Sequence, residues 1–168
     1  MEERTAQYRA KHPRSIVAGP YGHPFHPILV TIPIGTWVAS LVFDIIGFIA
    51  EDPEPYVVAA RVLILIGIIG AAVAAVVGFL DYRQLVKGTA AHRTATVHMA
   101  LNLGVIAVFI VNLLVRWSAE DDEVSVFGFI LSLLALAALG LSGWLGGKLS
   151  YHYGVRVADE QTQSEGFR

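Results

Sequence analysis

The sequence predicts an all-α integral membrane protein: four transmembrane helices in an up-down-up-down bundle. Three observations carry that prediction. The 168 residues are 55% hydrophobic and 15% charged, with a mean hydropathy of +0.59, whereas a soluble domain carries roughly 25% charged residues. The apolar residues are gathered into four runs, each close to the ~20 residues that a bilayer-spanning helix needs. The links between the runs are short, which makes sequential helices antiparallel neighbours. Unsatisfied backbone groups are costly in hydrocarbon, so apolar runs of this length have to be helical. The length suits one structural unit.

Residues 1–27 form a polar, basic segment. It lacks the apolar core and small-residue cleavage site of a signal peptide, so it is expected to be retained. The transmembrane domain is placed at 28–150, with apolar runs at 28–50, 56–80, 97–117 and 124–147. "EDPEP" links the first two runs and "SAEDDE" the last two, while the middle link, "DYRQLVKGTAAHRTAT", is longer and basic. Residues 151–168 form a polar tail, and the composition of "ADEQTQSEGFR" predicts no fixed structure there. The chain has no cysteine, which excludes disulfides and thiolate ligands.

An even number of spans puts both termini and the middle link on one side, the near face. Of the 12 Lys and Arg residues, all but Arg61 and Arg116 fall there. The far-face links carry Glu51, Asp52, Glu54 and the acidic run at 120–123, and no base. Because Lys and Arg bias sets orientation, the near face and both termini are expected to be cytoplasmic. The bases are scattered and lack the aromatic or motif pattern of a nucleic-acid surface, so no nucleic-acid partner is expected. The lipid bilayer is the first partner.

All six histidines map to the near face. His12 and His92 read as ordinary surface residues. His26 differs, because Pro24 and Pro27 restrict the backbone on either side of it where the first run begins. His98 lies a turn inside the third span, and ionisable groups at such depth usually face the bundle interior. Thr94, His98 and Asn102 follow at i, i+4 and i+8 and share one helix face. Small residues form stripes on two other spans: Gly67, Ala71, Ala74 and Gly78, ending at Asp81, and Gly140, Gly143 and Gly147, ending at Tyr151. Close helix packing is the first reading of such stripes and a groove for a cofactor the second. On the first span Thr36, Ser40 and Asp44 share a face. An unpaired carboxylate at that depth would be expensive, so an Asp44–Arg61 ion pair is predicted, with Arg116 as the competing partner.

Diagonal helices of a four-helix square lie roughly 11–14 Å apart. His26 and His98 would face each other across that gap, which suits a b-type haem with two axial imidazoles. Asn102 would steady the His98 ring, and Arg93, with Arg83 and Lys87, would pair with the haem propionates. A transition-metal ion bound by His23, His26, His98, His152 and Asp81 is the alternative, and a site without any cofactor the third. There is no nucleophile elbow, Walker loop or zincin motif, so a stand-alone enzyme is not the expectation.

The stretches "GHPFHPILVTIPIGTWVASLVFD", "GFLDYRQLVKGTAAHRTATVHMALN" and "GWLGGKLSYHYGVRV" resemble a family of small four-span bacterial membrane proteins of unknown function, over roughly residues 20–158. The resemblance singles out His23, His26, Asp44, Asp81, His98 and Gly147 as matched positions. It implies a bacterial inner membrane, and because some members are joined to Rieske-type domains, a redox setting. The leading expectation is a membrane protein that binds haem and transfers electrons, with a redox protein or a quinone as partner. The runner-up is a structural or accessory subunit, in a homo-oligomer or a larger complex. Ion transport fits less well, because the midplane between the polar ends reads as dry.

Overall fold

The computed structural model describes residues 2–12, 15–19 and 23–168. Arg14, one of the near-face bases, and residues 20–22, just before the first histidine pair, lie outside the described residues. The elements in order are α1 (Glu2–Lys11), a 3-10 turn at Ile16–Ala18, α2 (Phe25–Leu29), α3 (Thr31–Gly47), α4 (Glu54–Tyr82), α5 (Ala90–Trp117), α6 (Val126–Gly147), a π-helical turn at Lys148–His152, and α7 (Glu160–Ser164). Four stretches are long and apolar enough to cross a membrane: Phe25–Gly47, Glu54–Tyr82, Ala90–Trp117 and Val126–His152. The four-span, all-helical expectation holds.

The first span is broken at Val30, between α2 and α3. Pro33 explains the break: it has no N–H for the Leu29 carbonyl, and its ring crowds that carbonyl. The second span begins on Pro53 without a side-chain cap, whereas the third and fourth begin on polar caps. Thr89 accepts the His92 N–H at 3.1 Å to start α5, and Ser125 accepts the Gly128 N–H at 3.2 Å to start α6. Each hydroxyl satisfies one of the backbone donors that a helix start leaves over.

In the bundle α3 packs on α4, α4 on α5, α5 on α6, and α6 back on α3, which closes an antiparallel square. Its middle is apolar and tightly filled by Trp37, Ile64, Val105, Phe109, Leu113 and Ala135. The Trp37 and Phe109 rings stack 4.1 Å apart at 12°, and the Trp37 indole donates to the Ile64 carbonyl at 3.3 Å. Large apolar side chains such as Ile45, Val62, Ile69 and Leu134 point outward, as lipid-facing positions should.

The two ends are polar and differ from each other. At the far end Arg116 grips Asp44 through two bonds of 2.6 Å, both side chains being almost fully buried. Its Nε donates to Asn112 at 2.7 Å, and Asn112 donates to Ser132 at 2.8 Å. The predicted Asp44–Arg61 pair is therefore corrected. Arg61 turns instead to Asp121 and to the Arg116 carbonyl. The reason is rotational: Arg116 faces the bundle axis with Asp44, whereas Arg61 reaches the link beyond α5.

At the near end α1 lies over the bundle, and Ala10, Leu85, Ala95, Leu149 and Val155 form a second small core. The Arg156 N–H donates to the Ala10 carbonyl at 3.0 Å, so the start of the chain is tied to the segment after the fourth span. The polar tail also has structure. Asp159 caps α7 by accepting the Thr162 N–H at 2.9 Å, where composition alone predicted none.

Candidate functional site

A cavity of about 430 Å³ opens in the near half of the bundle, within the size range of small-molecule pockets. Its floor is Trp37. Its walls come from α2 to α6 and the segment that follows α6 and are mostly apolar, and its polar groups include His26, His98, Asn102, Asp81, Tyr82 and Arg156.

His26 is carried into the cavity by α2. Pro24, extended at φ −74° and ψ 129°, stands as the N-cap of this short helix, and His26 follows in its first turn. The ring crosses to α4, where Nδ1 donates to the Ala74 carbonyl at 2.8 Å. Gly78 makes this possible, because a Cβ there would sit 2.8 Å from Nδ1. His98 mirrors the arrangement from α5. Its Nδ1 donates to the Ser142 carbonyl on α6 at 2.8 Å and lies 3.0 Å from the Ser142 hydroxyl. Gly146 clears that ring, since a Cβ there would meet Cε1 at 3.3 Å. The two ring centres are 6.3 Å apart and nearly perpendicular, at 84°.

These bonds fix the tautomers. A carbonyl oxygen only accepts, so each Nδ1 carries a proton, and in its neutral form each ring has its lone pair at Nε2. Asn102 approaches His98 as the i, i+4 spacing anticipates. Its amide nitrogen lies 2.8 Å from the His98 carbonyl, 2.7 Å from the Ser142 hydroxyl and 3.2 Å from Nε2. An amide has two N–H donors for these three acceptors, and Nε2 is the most distant of them. Its lone pair is at most weakly engaged.

Other expected site residues are elsewhere. His152 is exposed and stacks edge-on against Tyr153. His23 lies outside α2, exposed, beyond the Pro24 cap. Asp81 lines the cavity but sits beside Arg156. Among the described residues no group of three or more His, Asp or Glu side chains is arranged to hold a metal ion. The set of His23, His26, His98, His152 and Asp81 is therefore not gathered, because the proline-capped start of α2 separates its two histidines and the π-helical turn leaves His152 at the surface. Arg93 does not reach the cavity either. It is exposed and donates to the Gly88 carbonyl at 2.7 Å, which closes the turn ahead of α5.

Sequence reasoning missed Arg156, Ser142 and Gly146. Of the predicted glycine stripe, Gly143 and Gly147 line the cavity, and Gly146, outside the stripe, lines it too. A Cβ at Gly140 or Gly143 would meet nothing within 4 Å, while Gly146 touches the His98 ring. Small residues at i, i+3 and i+7 fit two phases of one helix, and only the neighbouring ring selects between them.

A model of the family described as "Predicted membrane protein (DUF2231)" matches residues 22–159. The chain belongs to that family. The matched stretch takes in the whole bundle, both cavity histidines, Asp81 and Arg156, and it leaves out α1. The family's description states a membrane location and no activity. Neither a curated protein nor a solved structure matches the chain.

Proposed function

We propose that this is a b-type haem protein of the bacterial inner membrane, which holds the iron between His26 and His98 and passes electrons on the cytoplasmic side. One observation supports the reading above the others. Two imidazoles from different helices meet in one apolar cavity, each with Nδ1 held by a backbone carbonyl, which makes Nε2 the ring nitrogen available to a ligand, that of His98 beside the Asn102 amide. Backbone carbonyls behind ligating histidines are a recurrent means of fixing ring orientation and raising basicity. The Nε2 atoms of His26 and His98 would hold the iron, and the two rings that carry them have centres 6.3 Å apart.

Bound there, a haem supplies a one-electron redox couple. The chain's own part is to hold and insulate. Ala74 and Ser142 keep the two protons at Nδ1, Gly78 and Gly146 let the rings lie close to α4 and α6, and Trp37 and Phe109 exclude water from below. A quinone in the bilayer or a redox protein at the near face would be the electron partner.

A second reading has its own support. His26 ties α2 to α4 and His98 ties α5 to α6, so the pair also acts as a structural clamp, as in an accessory subunit. The visible spectrum separates the two. Detergent-purified protein, reconstituted with haem, should show a strong blue-end band that shifts on reduction, and His26→Ala and His98→Ala should each lose it. A wild-type protein that stays colourless with excess haem overturns the haem reading and leaves the clamp.

A further inference from the structure

The near end of the cavity gathers positive charge that the described residues do not fully partner. Arg156 lines the cavity, and its side chain is 7% exposed. Its Nη2 donates to the Ala18 carbonyl at 2.8 Å. Its Nε lies 3.1 Å from Asp81 Oδ1, close enough for charge attraction but not aligned as a hydrogen bond. Its Nη1 is buried and has no partner among the described residues, and the same holds for Nε of Arg9. Arg9 belongs to α1, next to Ala10, whose carbonyl accepts the Arg156 N–H. Lys11, one residue further, reaches only the Ala158 carbonyl, at 3.4 Å. Asp81, whose Oδ1 is likewise buried without a hydrogen bond, faces Arg156 alone of these bases, while Arg9 and Lys11 lie outside the cavity lining and the surface Asp159 is engaged in capping α7.

The backbone points the same way. Arg156 has φ +60°, between Gly154 at φ +67° and the tail. A long side chain seldom adopts the left-handed region, and such a conformation persists only where the surroundings over-determine it. Here the turn aims a guanidinium inward from a segment that would otherwise run along the surface. A buried guanidinium donor left without an acceptor is costly, and a carboxylate is the acceptor that its fork matches best.

We infer that the near end of this cavity is a carboxylate site, in which Arg156, supported by Arg9, receives the acidic end of an amphipathic guest whose body lies between His26 and His98. The inference deepens the haem reading and takes its guest from it: the propionates point to Arg156, not to Arg83, Lys87 or Arg93.

The test uses the full chain in detergent and two pairs of probes. Haem b is compared with its dimethyl ester by visible absorbance. Metal-free protoporphyrin is compared with its dimethyl ester by fluorescence, which needs no axial ligation. Wild type should prefer each diacid over its ester by about tenfold or more. Arg156→Gln should bring that preference close to one, Arg156→Lys should restore part of it, and Arg9→Gln should reduce it while leaving the cavity wall intact. Equal affinity for acid and ester in wild type overturns the inference, as does Arg156→Gln binding both more weakly with the preference unchanged. If the acid preference appears with metal-free porphyrin but iron gives no imidazole-ligated spectrum, the carboxylate site stands and the haem reading fails. An imidazole-ligated spectrum without acid preference gives the reverse. If neither porphyrin binds, both fail.

Discussion

Removing one partner of the Asp44–Arg116 pair should destabilise the protein more than any other single change on the far side. The carboxylate is fully buried and the guanidinium 1% exposed, and they are joined by two bonds of 2.6 Å. Asp44→Ala leaves Arg116 with Asn112 as its one close acceptor and the Ser132 hydroxyl at 3.5 Å. A buried charge stranded in this way costs about 3–5 kcal/mol. For a chain of this size each kcal/mol moves the unfolding midpoint by roughly 2–4 °C, so a fall of about 6–20 °C is expected. Replacing both partners, Asp44→Leu with Arg116→Met, removes the stranded charge and should recover most of the loss. Thermal unfolding in one detergent, followed by fluorescence and by size exclusion, reads both effects. The reasoning fails if Asp44→Ala shifts the midpoint by less than about 2 °C, or if the double variant is worse than the single.

Further outcomes follow from the same geometry. Gly78→Ala should unseat His26, with overpacking of about 1–3 kcal/mol outweighing the ~1 kcal/mol that alanine adds to a helix. Gly143→Ala, which meets nothing, should be neutral or slightly stabilising, and equal midpoint shifts for the two would refute the assignment of their faces. The Thr162 backbone N–H holds the Asp159 carboxyl below the usual carboxylate range. A lowered folded value means the cap is fully present above the ordinary value and lost as pH falls through the folded one, so the protection of the Thr162 amide, relative to its intrinsic exchange rate, should persist at the ordinary carboxylate value and fall only below it. Protection that stays unchanged as pH falls would argue against the cap. Because the chain lacks cysteine, Ser164→Cys and Asp122→Cys report sidedness cleanly. An impermeant thiol reagent added outside the cell should label the second and spare the first, and the opposite pattern would reverse the orientation drawn from Lys and Arg.

The spans were legible because hydrocarbon leaves a long apolar run little choice but to be helical. His26 and His98 were legible for a related reason: prolines fixed one at the lip of a span, and depth forced the other inward. Other features depend on how each helix is rotated about its own axis, which a single chain encodes only weakly. Arg61 and Arg116 lie at similar depth, and the choice between them as partner of Asp44 turns on which faces the axis. Gly143 and Gly146 differ by most of a helical turn, yet both belong to a glycine-rich stretch that fits either phase. Arg156 was hidden for another reason. It lies beyond the last span in a polar tail, and a left-handed turn, not a periodic pattern, sends it back toward the cavity.

The stacked indole and phenyl rings at the centre of the bundle have an electrical consequence. With the buried side chains around them they form an apolar plug across the middle of the bundle, so an ion entering from the terminal side would have to stop about halfway through the layer. Moving a unit charge across the full layer involves ~2.3 kcal/mol per 100 mV, and a charge halted at Trp37 experiences only a fraction of that. A charge held in the near-end cavity would therefore feel about half of the membrane potential, while the Asp44–Arg116 pair lies on the other side of the plug.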